Sequence, residues 1–467
     1  MCGVVGVFGL EEAQRYAYFG IYALQHRGQE SVGLASGTEE GIKVIKKKGL
    51  VLEAFNEKEL RSLSSRISIA HVRYSTAGGG IEDAQPIVRK MPFGDCAIVH
   101  NGNLVNQIEL RKRFQEKGIE LRHLSDSELL IAGMEDGQHT NREPRLHSRD
   151  GEELRRIFHA LSLAKGAFSA IYMFKDRLIA VRDAMGFRPL VMGRLKNGFI
   201  LASESCALDI LGAELWREVQ PGEVVVIDDY GLRSYFPFRE NRRASCIFEL
   251  VYFSKPESFV FGGWVYKVRR KLGEVLAMED EPVGEIVVPV PDSGLVPAIG
   301  YSNVRGLSLE LGLIRNHYVG RSFIEPTQEL RDIKVLMKLN PNRAVLEGKS
   351  VVVIDDSLVR GTTAKKIVQM LRQSGAKEIH LRIASPPVIG PCYFGIDTPS
   401  KKELIACQMN LEEIRKFVGV DTLRYLSLEG LHSCVESAQE FCDACFTGNY
   451  PVSVESLESL QALKKLT

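Results

Sequence analysis

The sequence lacks the features that mark membrane proteins and nucleic-acid-binding proteins. No apolar run approaches the roughly 20 residues that a membrane-spanning helix needs. Charge of one sign is not in excess, because 60 basic and 59 acidic side chains leave a formal net charge of +1. This balance gives no support to a broad nucleic-acid-binding face. Internal repeats and long low-complexity tracts are also absent. We therefore expect a globular protein with neither nucleic acid nor membrane among its partners.

A secretory leader is missing as well, since no basic segment precedes an apolar core and a cleavage site. The sequence thus predicts a cytoplasmic protein. Cysteine is scarce, with nine residues in a chain of 467. Such usage in a large cytoplasmic chain argues against a disulfide framework and favours free thiols, catalysis or metal binding.

The length of 467 residues exceeds one ordinary core, so we expect two domains. Residues 2–231 contain many short apolar runs with a few helical patterns, which predicts two stacked sheets with helices outside. The polar and basic stretch 230–245 suits a connection between domains. In 232–450 continuous apolar strands alternate with helices, which predicts a mainly parallel sheet covered on both faces. Residues 451–467 are expected to form a tail.

The most specific motif is VVVIDDSLVRGTTAKK at 351–366. Its apolar strand would deliver Asp355 and Asp356 to the carboxyl edge of the sheet, where open α/β folds bind ligands. The two carboxylates can hold sugar hydroxyls or a hard divalent cation. The following helix start favours a phosphate, because its N–H groups and positive dipole end face the ligand. The candidate substrate-binding residues after the two acids are Ser357, Arg360, Gly361, Thr362 and Thr363.

These residues resemble the phosphoribosyl diphosphate (PRPP) motif of type I phosphoribosyltransferases. The alternative is a plain Asp-Asp turn with a threonine helix cap. A second strand ends in VPVPDSG at 288–294, and the long charged segment 315–341 suits a lid over PRPP. Its basic residues available to the diphosphate are Arg321, Arg331 and Lys338. Loss of diphosphate leaves an oxocarbenium-like sugar, so compensating the leaving group's charge is the main catalytic need.

A cysteine stands directly behind the initiator methionine, in MCGVVGVFGL. Removal of Met1 would give Cys2 a free α-amine, with a pKa of about 8 in a model peptide. Near neutrality this amine can act as the base for the neighbouring thiol, as in other N-terminal nucleophiles. The thiolate would attack the amide of glutamine, form a glutamyl thioester and release ammonia.

Three further motifs supply the other parts of a glutaminase site. HNGN at 100–103 offers the Asn101 side chain and the Gly102 backbone N–H as an oxyanion hole. HVRYST offers Arg73 for the substrate carboxylate, and SDSE offers Asp126 for its α-ammonium group. Taken singly, each motif has a plain structural explanation: a common Asn-Gly turn, a strand-edge charge and a helix cap. Their occurrence together with Cys2 favours a glutaminase.

Cys2 and these motifs, with QHRGQES at 25–31, resemble the class II glutamine amidotransferases. Joined to the PRPP motif, they resemble the glutamine phosphoribosyldiphosphate amidotransferase family over nearly the whole chain. The resemblance implies an N-terminal nucleophile hydrolase sandwich (αββα) followed by an α/β phosphoribosyltransferase domain. It implies that ammonia from glutamine passes internally to PRPP, giving 5-phosphoribosylamine, diphosphate and glutamate, the first committed step of de novo purine biosynthesis. It also implies Mg²⁺ near Ser293, Asp355 and Asp356, a homotetramer, and feedback inhibition by purine nucleotides.

Four other cysteines are candidate metal ligands. Cys442 and Cys445 form a C-x-x-C pair, while Cys246 and Cys392 lie outside long apolar runs. Four thiolates suit an iron–sulfur cluster or a structural zinc, and spacing alone slightly favours zinc. The resemblance reverses this preference, since these positions match a subgroup that carries a [4Fe–4S] cluster. Members of that subgroup often have a short propeptide, and none is visible here. The remaining cysteines are expected to be small buried residues: Cys96, Cys206, Cys407 and Cys434.

Two other functions remain open at this point. A PRPP-binding regulatory protein without catalysis would need a basic DNA-binding module, which neither the charge balance nor the pattern of 1–229 provides. A glutamine amidotransferase with another acceptor, such as a sugar or aspartate, would keep the glutaminase motifs. The PRPP motif disfavours this second alternative.

Overall fold

The computed structural model describes residues 2–74, 80–137, 146–238, 242–316, 339–398 and 400–453. Among these residues the first half of the chain forms two stacked antiparallel sheets, and the second half forms a parallel sheet. This arrangement confirms the predicted αββα sandwich followed by an α/β domain. No helix in the described segments is both long enough and apolar enough to traverse a bilayer.

The N-terminal strand Gly3–Phe8 lies at the centre of the first sheet of the sandwich. Every residue of its sequence, GVVGVF, is buried. In the described residues it has seven strands, all paired antiparallel, in the spatial order Glu214–Glu218, Val191–Leu195, Gly198–Ala202, Gly3–Phe8, Ile67–Arg73, Ser31–Thr38 and Gly41–Lys48. The helices Ala13–Ala23, Val51–Ala54, Glu57–Ser62 and Cys206–Leu211 pack on its outer face.

The second sheet stacks on the first, and alternate residues such as Ile69 and Val99 share one buried cluster between them. Its described strands are also antiparallel and follow the order Gly231–Tyr235, Val224–Asp228, Leu178–Arg182, Gly166–Met173, Cys96–Leu104 and Ile87–Arg89. The outer helices on this side are Gln107–Glu116, Asp126–Ala132 and Glu152–Leu163.

The second domain is built on a parallel sheet whose central strand, Ser350–Asp355, is covered on both faces. Valine and isoleucine fill this strand, as expected where helices pack on both sides. The order of its described strands is Ser308–Leu309, Ile286–Pro289, Ser350–Asp355, Glu378–Ile383 and Thr422–Tyr425. The described helices include Val265–Glu279, Leu295–Arg305, Arg343–Leu346, Thr362–Gln373, Ile405–Gln408, Leu411–Val418, Leu428–Ser433 and Ala444–Thr447.

Three short strand pairs complete the described part of the second domain. They are Ser245–Cys246 with Phe441–Cys442, Phe259–Val260 with Gly263–Trp264, and Leu313–Arg315 with Leu339–Pro341. The segment 230–245 was expected to connect the two domains. Its first part instead forms the strand Gly231–Tyr235, which pairs with Val224–Asp228 in the second sheet. That strand lies beyond the expected domain boundary at 231, so the first domain's sheet continues past it.

Candidate active site

Cys2 lies at the edge of the sandwich where strands from both sheets end. Its backbone N is 3.4 Å from Asn101 Oδ1, and its Sγ is 3.8 Å from the carbonyl oxygen of Tyr74. The sandwich thus brings the predicted nucleophile and the predicted oxyanion-hole amide together from opposite sheets. Cys2 is half-buried, so its thiol remains open to a substrate.

The oxyanion-hole residues lie on the strand Cys96–Leu104. Asn101 is fully buried, and its Nδ2 has no hydrogen-bond partner among the described residues. A buried amide donor without a partner costs free energy, and a substrate oxygen would satisfy it. Gly102 has a φ of 154°, and a Cβ there would lie 2.0 Å from the Ala167 carbonyl oxygen. This close approach of two strands requires glycine.

Arg73 and Asp126 reach the same edge from two different elements. Arg73 ends the strand Ile67–Arg73, next to Val72, which pairs with Gly3. Asp126 begins a helix and accepts the Leu104 N–H at 3.0 Å, with its other oxygen 3.5 Å from His100 Nδ1. Burial opposes ionisation of Asp126, yet His100 and the backbone donors hold the pKa of its carboxyl below the ordinary value. An ionised, buried carboxylate suits a substrate ammonium group.

A buried ion network behind Cys2 was not predicted from the sequence. Arg27 donates from Nε to the Cys2 carbonyl oxygen at 3.0 Å and pairs with Glu204 and with Glu249. Glu249 belongs to the second domain, and it also lies 3.2 Å from Arg188. The side chains of Arg27, Arg188, Glu204 and Glu249 are all fully buried. Buried charges are stable only when they are paired with opposite charges. The only indication of this network in the sequence was that Arg27 belongs to the motif QHRGQES.

The acid pair of the PRPP motif lies at the carboxyl end of the central parallel strand, as predicted. Ser293, which follows the neighbouring strand, donates to Asp355 Oδ1 at 3.3 Å. Burial, reinforced for Asp355 by the charge of its neighbour, raises the pKa of both Asp355 and Asp356. The buried carboxylate of Asp356, the half-buried one of Asp355 and the Ser293 hydroxyl form a donor set of hard oxygens, which fits Mg²⁺.

The turn after the acid pair presents an uncapped helix. Gly361 has a φ of 74°, and a Cβ there would lie 2.6 Å from Ile405 Cδ1. No side chain caps the helix Thr362–Gln373, so its first N–H groups are available to a phosphate. Thr362 and Thr363 are exposed at this end. Two more predicted ligands lie close by: Ser357 donates to Asp356 at 2.5 Å and Arg360 pairs with Glu403.

The predicted lid residues Arg321, Arg331 and Lys338 lie outside the described residues. The structure therefore does not test their predicted contact with the diphosphate.

The four predicted metal ligands line one cavity. Cys246 and Cys442 are paired residues of two short parallel strands, and Cys392 and Cys445 complete the set. The rest of its lining is mostly apolar and aromatic, and includes Phe187, Phe248 and Tyr450. None of the nine cysteines forms a disulfide. Burial raises the pKa of Cys246 to about 11 and also raises that of Cys442 and Cys445.

Three of the four cysteines predicted to be small buried residues are buried: Cys96, Cys206 and Cys434. Cys407 differs, because it is only half-buried and donates from Sγ to the Ile389 carbonyl oxygen at 3.1 Å. It lies on the short helix Ile405–Gln408, in which only Ile405 is buried.

The fold and the two sites define an N-terminal nucleophile glutamine amidotransferase joined to a phosphoribosyltransferase. Residues 71–209 match the family model described as a glutamine amidotransferase domain. The chain is 47% identical to the chloroplastic amidophosphoribosyltransferase of Vigna aconitifolia, over 98% of this chain and 92% of that protein. The chain belongs to the amidophosphoribosyltransferase family.

Solved structures agree with this assignment. The glutamine PRPP amidotransferase of B. subtilis, complexed with ADP and GMP, matches with a TM-score of 0.89, 41% identity and 98% coverage of each chain. A structure described as the allosteric regulatory enzyme of purine biosynthesis matches with a TM-score of 0.91, 41% identity and 99% coverage of each chain. The chain is therefore a pentosyltransferase of purine biosynthesis that uses glutamine, which confirms the predicted function. The two alternative functions gain no support.

Proposed function

We propose that glutamine is hydrolysed at Cys2 and that the ammonia displaces diphosphate from PRPP beside Asp355 and Asp356. In the first half-reaction glutamine and water give glutamate and ammonia. In the second, ammonia forms a C–N bond to the sugar carbon as the C–O bond to diphosphate breaks, giving 5-phosphoribosylamine. The observation that carries the proposal is the approach of Cys2 N to Asn101 Oδ1 at 3.4 Å.

The glutaminase half-reaction requires Cys2 to be the first residue of the mature chain. Its α-amine then accepts the thiol proton, and Sγ attacks the amide carbon of glutamine. Asn101 Nδ2 and the Gly102 N–H donate to the oxyanion, which develops where the unpartnered buried amide lies. The α-ammonium passes this proton to the amide nitrogen, which leaves as ammonia, and water then hydrolyses the thioester to glutamate and the free thiol. We assign Arg73 to the substrate carboxylate and Asp126 to its ammonium group.

In the second domain the turn at Gly361 and the uncapped N–H groups after it would hold the phosphate of PRPP. Ser293, Asp355 and Asp356 would hold Mg²⁺, which supplies positive charge to the departing diphosphate. The Ser293 hydroxyl already lies 3.3 Å from Asp355 Oδ1, and the same oxygen accepts the Asp356 backbone N–H at 2.9 Å, in agreement with this role.

We also propose that Cys246, Cys392, Cys442 and Cys445 hold a [4Fe–4S] cluster, with zinc as the lesser alternative. A single zinc would need the sulfurs within about 2.3 Å of one point. Among the described residues, no three His, Cys, Asp or Glu side chains are arranged to hold a single metal ion, whereas all four thiols line the same cavity. The Phe394 N–H also donates to Cys392 Sγ at 3.3 Å, a type of contact that tunes cluster ligands.

Regulation and assembly are further parts of the proposal. Purine nucleotides would inhibit by feedback, which is supported by the ADP and GMP in the B. subtilis structure and by the word allosteric in the description of the other. The homotetramer rests on family resemblance alone. The cytoplasmic location stays a prediction from the sequence, and some relatives are chloroplastic.

Two reciprocal variants test the division of labour. Cys2→Ala should abolish glutamate release while ammonia-dependent formation of phosphoribosylamine persists. Asp355→Asn should abolish ammonia-dependent synthesis while basal glutamate release persists. Cys407→Ala serves as a control for Cys2→Ala, since Cys407 is a half-buried thiol assigned no role. Full glutaminase activity in Cys2→Ala, or active enzyme molecules that retain Met1 by intact mass spectrometry, would contradict the proposal.

A further inference from the structure

The segment 392–395 of the second domain lies directly against the oxyanion hole of the first domain. Gly395 has a φ of 105°, and a Cβ there would lie 2.9 Å from the carbonyl carbon of Gly102 and 3.0 Å from its oxygen. On its other side Gly102 approaches the backbone of Ala167, as described above. The Cα atom and the carbonyl group of Gly102 therefore lie close to both a strand of their own domain and Gly395.

The residues before Gly395 are attached to the first domain one after another. Asn103 Nδ2 donates to the Tyr393 carbonyl oxygen at 2.8 Å. Arg188 donates to the Phe394 carbonyl oxygen from Nε at 2.8 Å and from Nη2 at 2.6 Å. The Phe394 ring stacks on Phe187 with a centroid separation of 4.3 Å. These contacts hold the segment in one position against the glutaminase site.

The other end of the segment is also fixed. Cys392 lines the thiol cavity, and its Sγ lies 3.9 Å from Arg188 Nη2. Arg188 is itself fully buried and paired with Glu249. Gly395 thus cannot move away from Gly102 without breaking buried contacts at neighbouring residues, and a displacement of either glycine would be passed to the other.

We propose that Gly395 is a positioning residue for glutamine hydrolysis, because it fixes the backbone of Gly102 in the orientation that stabilises the oxyanion. This inference rests on the proposed function, which makes Asn101 and Gly102 the oxyanion hole. Such donors work only at about 2.7–3.1 Å from the developing oxyanion. A misplacement on the order of 1 Å can cost a hundredfold in rate. A residue of the phosphoribosyltransferase domain would therefore be required for full glutaminase turnover.

Gly395→Ala tests the inference, because its Cβ must push the Gly102 backbone away. We expect kcat for glutamate release to fall roughly tenfold or more, with KM for glutamine changed by less than about twofold. Ammonia-dependent synthesis should keep its wild-type rate. The matched control is Gly231→Ala, because Gly231 has the same φ of 105° but a Cβ there meets no atom within 4 Å. This control should leave kcat for glutamate release at the wild-type value.

Alkylation of Cys2 by iodoacetamide, followed by peptide mass spectrometry, separates the oxyanion hole from the thiol. This reaction needs the thiolate but develops no oxyanion, so Gly395→Ala should react at the wild-type rate. If Gly395→Ala does not fold, Asn103→Ala removes the contact to Tyr393 without strain and should show a smaller loss, again in kcat alone. Wild-type kcat in the folded variant tested, or alkylation slowed as much as hydrolysis, would overturn the inference. Neither outcome would affect the Cys2→Ala test of the proposed function.

Discussion

Arg27 of the first domain and Glu249 of the second form a fully buried ion pair, with 2.7 Å between Nη2 and Oε1. The same guanidinium donates to the Cys2 carbonyl oxygen, so the pair connects the proposed nucleophile with the second domain. Four predictions follow from this network, the glutamine site and the thiol cavity.

Removal of Glu249 should destabilise the protein strongly. Glu249→Ala removes a buried carboxylate that pairs with both Arg27 and Arg188, which are themselves buried. Breaking a buried pair costs about 3–5 kcal/mol. Denaturant unfolding should show this loss. Glu412→Ala, which breaks an exposed pair with Arg415, should leave the unfolding midpoint unchanged. Equal effects of the two substitutions would contradict a structural role for the network.

Acid should weaken the same network. Burial opposes ionisation of Glu204 and Glu249, but their cationic partners hold the pKa of both carboxyls below the ordinary value. A lowered folded-state pKa gives stability above the unfolded value of about 4.3 and loses it as pH falls toward the folded value. The free energy of unfolding should therefore decrease below about pH 5. The decrease should be shallower in Glu249→Ala, and parallel curves for the two proteins would be inconsistent with this mechanism.

Arg73→Lys should impair glutamine binding more than turnover. Lysine keeps the charge but loses the two parallel hydrogen bonds that a guanidinium makes with a carboxylate. Loss of a charged hydrogen bond costs about 1.5–3 kcal/mol, which corresponds to roughly a tenfold to hundredfold rise in KM for glutamine. The control is Arg66→Lys, an exposed residue just before the same strand. A fall in kcat with unchanged KM would place Arg73 outside the substrate carboxylate site.

Anaerobically purified protein should contain iron and sulfide. A [4Fe–4S] cluster predicts about four of each per chain together with broad visible absorbance. Cys442→Ser should lose both, whereas Cys407→Ala should retain them, because Cys407 does not line the thiol cavity. If the purified protein is colourless and contains zinc, the four cysteines form a structural zinc site and the cluster assignment is wrong.

The sequence predicted best those features that depend on neighbouring residues along the chain. The buried strand Ser350–Asp355 and its acid pair could be recognised because strand, turn and helix follow one another. Asn101 and Asp126 were recognised from short motifs. The sequence did not predict the ion pair of Arg27 with Glu249 or the contact of Gly395 with Gly102. Each of these joins residues that are more than 200 positions apart in the chain. The strand Gly231–Tyr235 was missed because its polar residues concealed it in an apparent connection.

The pairing of Cys246 with Cys442 across two short parallel strands has a consequence for biogenesis. Both sheets of the sandwich have all their described strands once Tyr235 has emerged from the ribosome, and domains made first generally fold first. The thiol cavity, in contrast, cannot close until Cys445 has been synthesised. Insertion of the proposed cluster would then be a late event in the synthesis of each chain, after the strands of the first domain have acquired their native pairing.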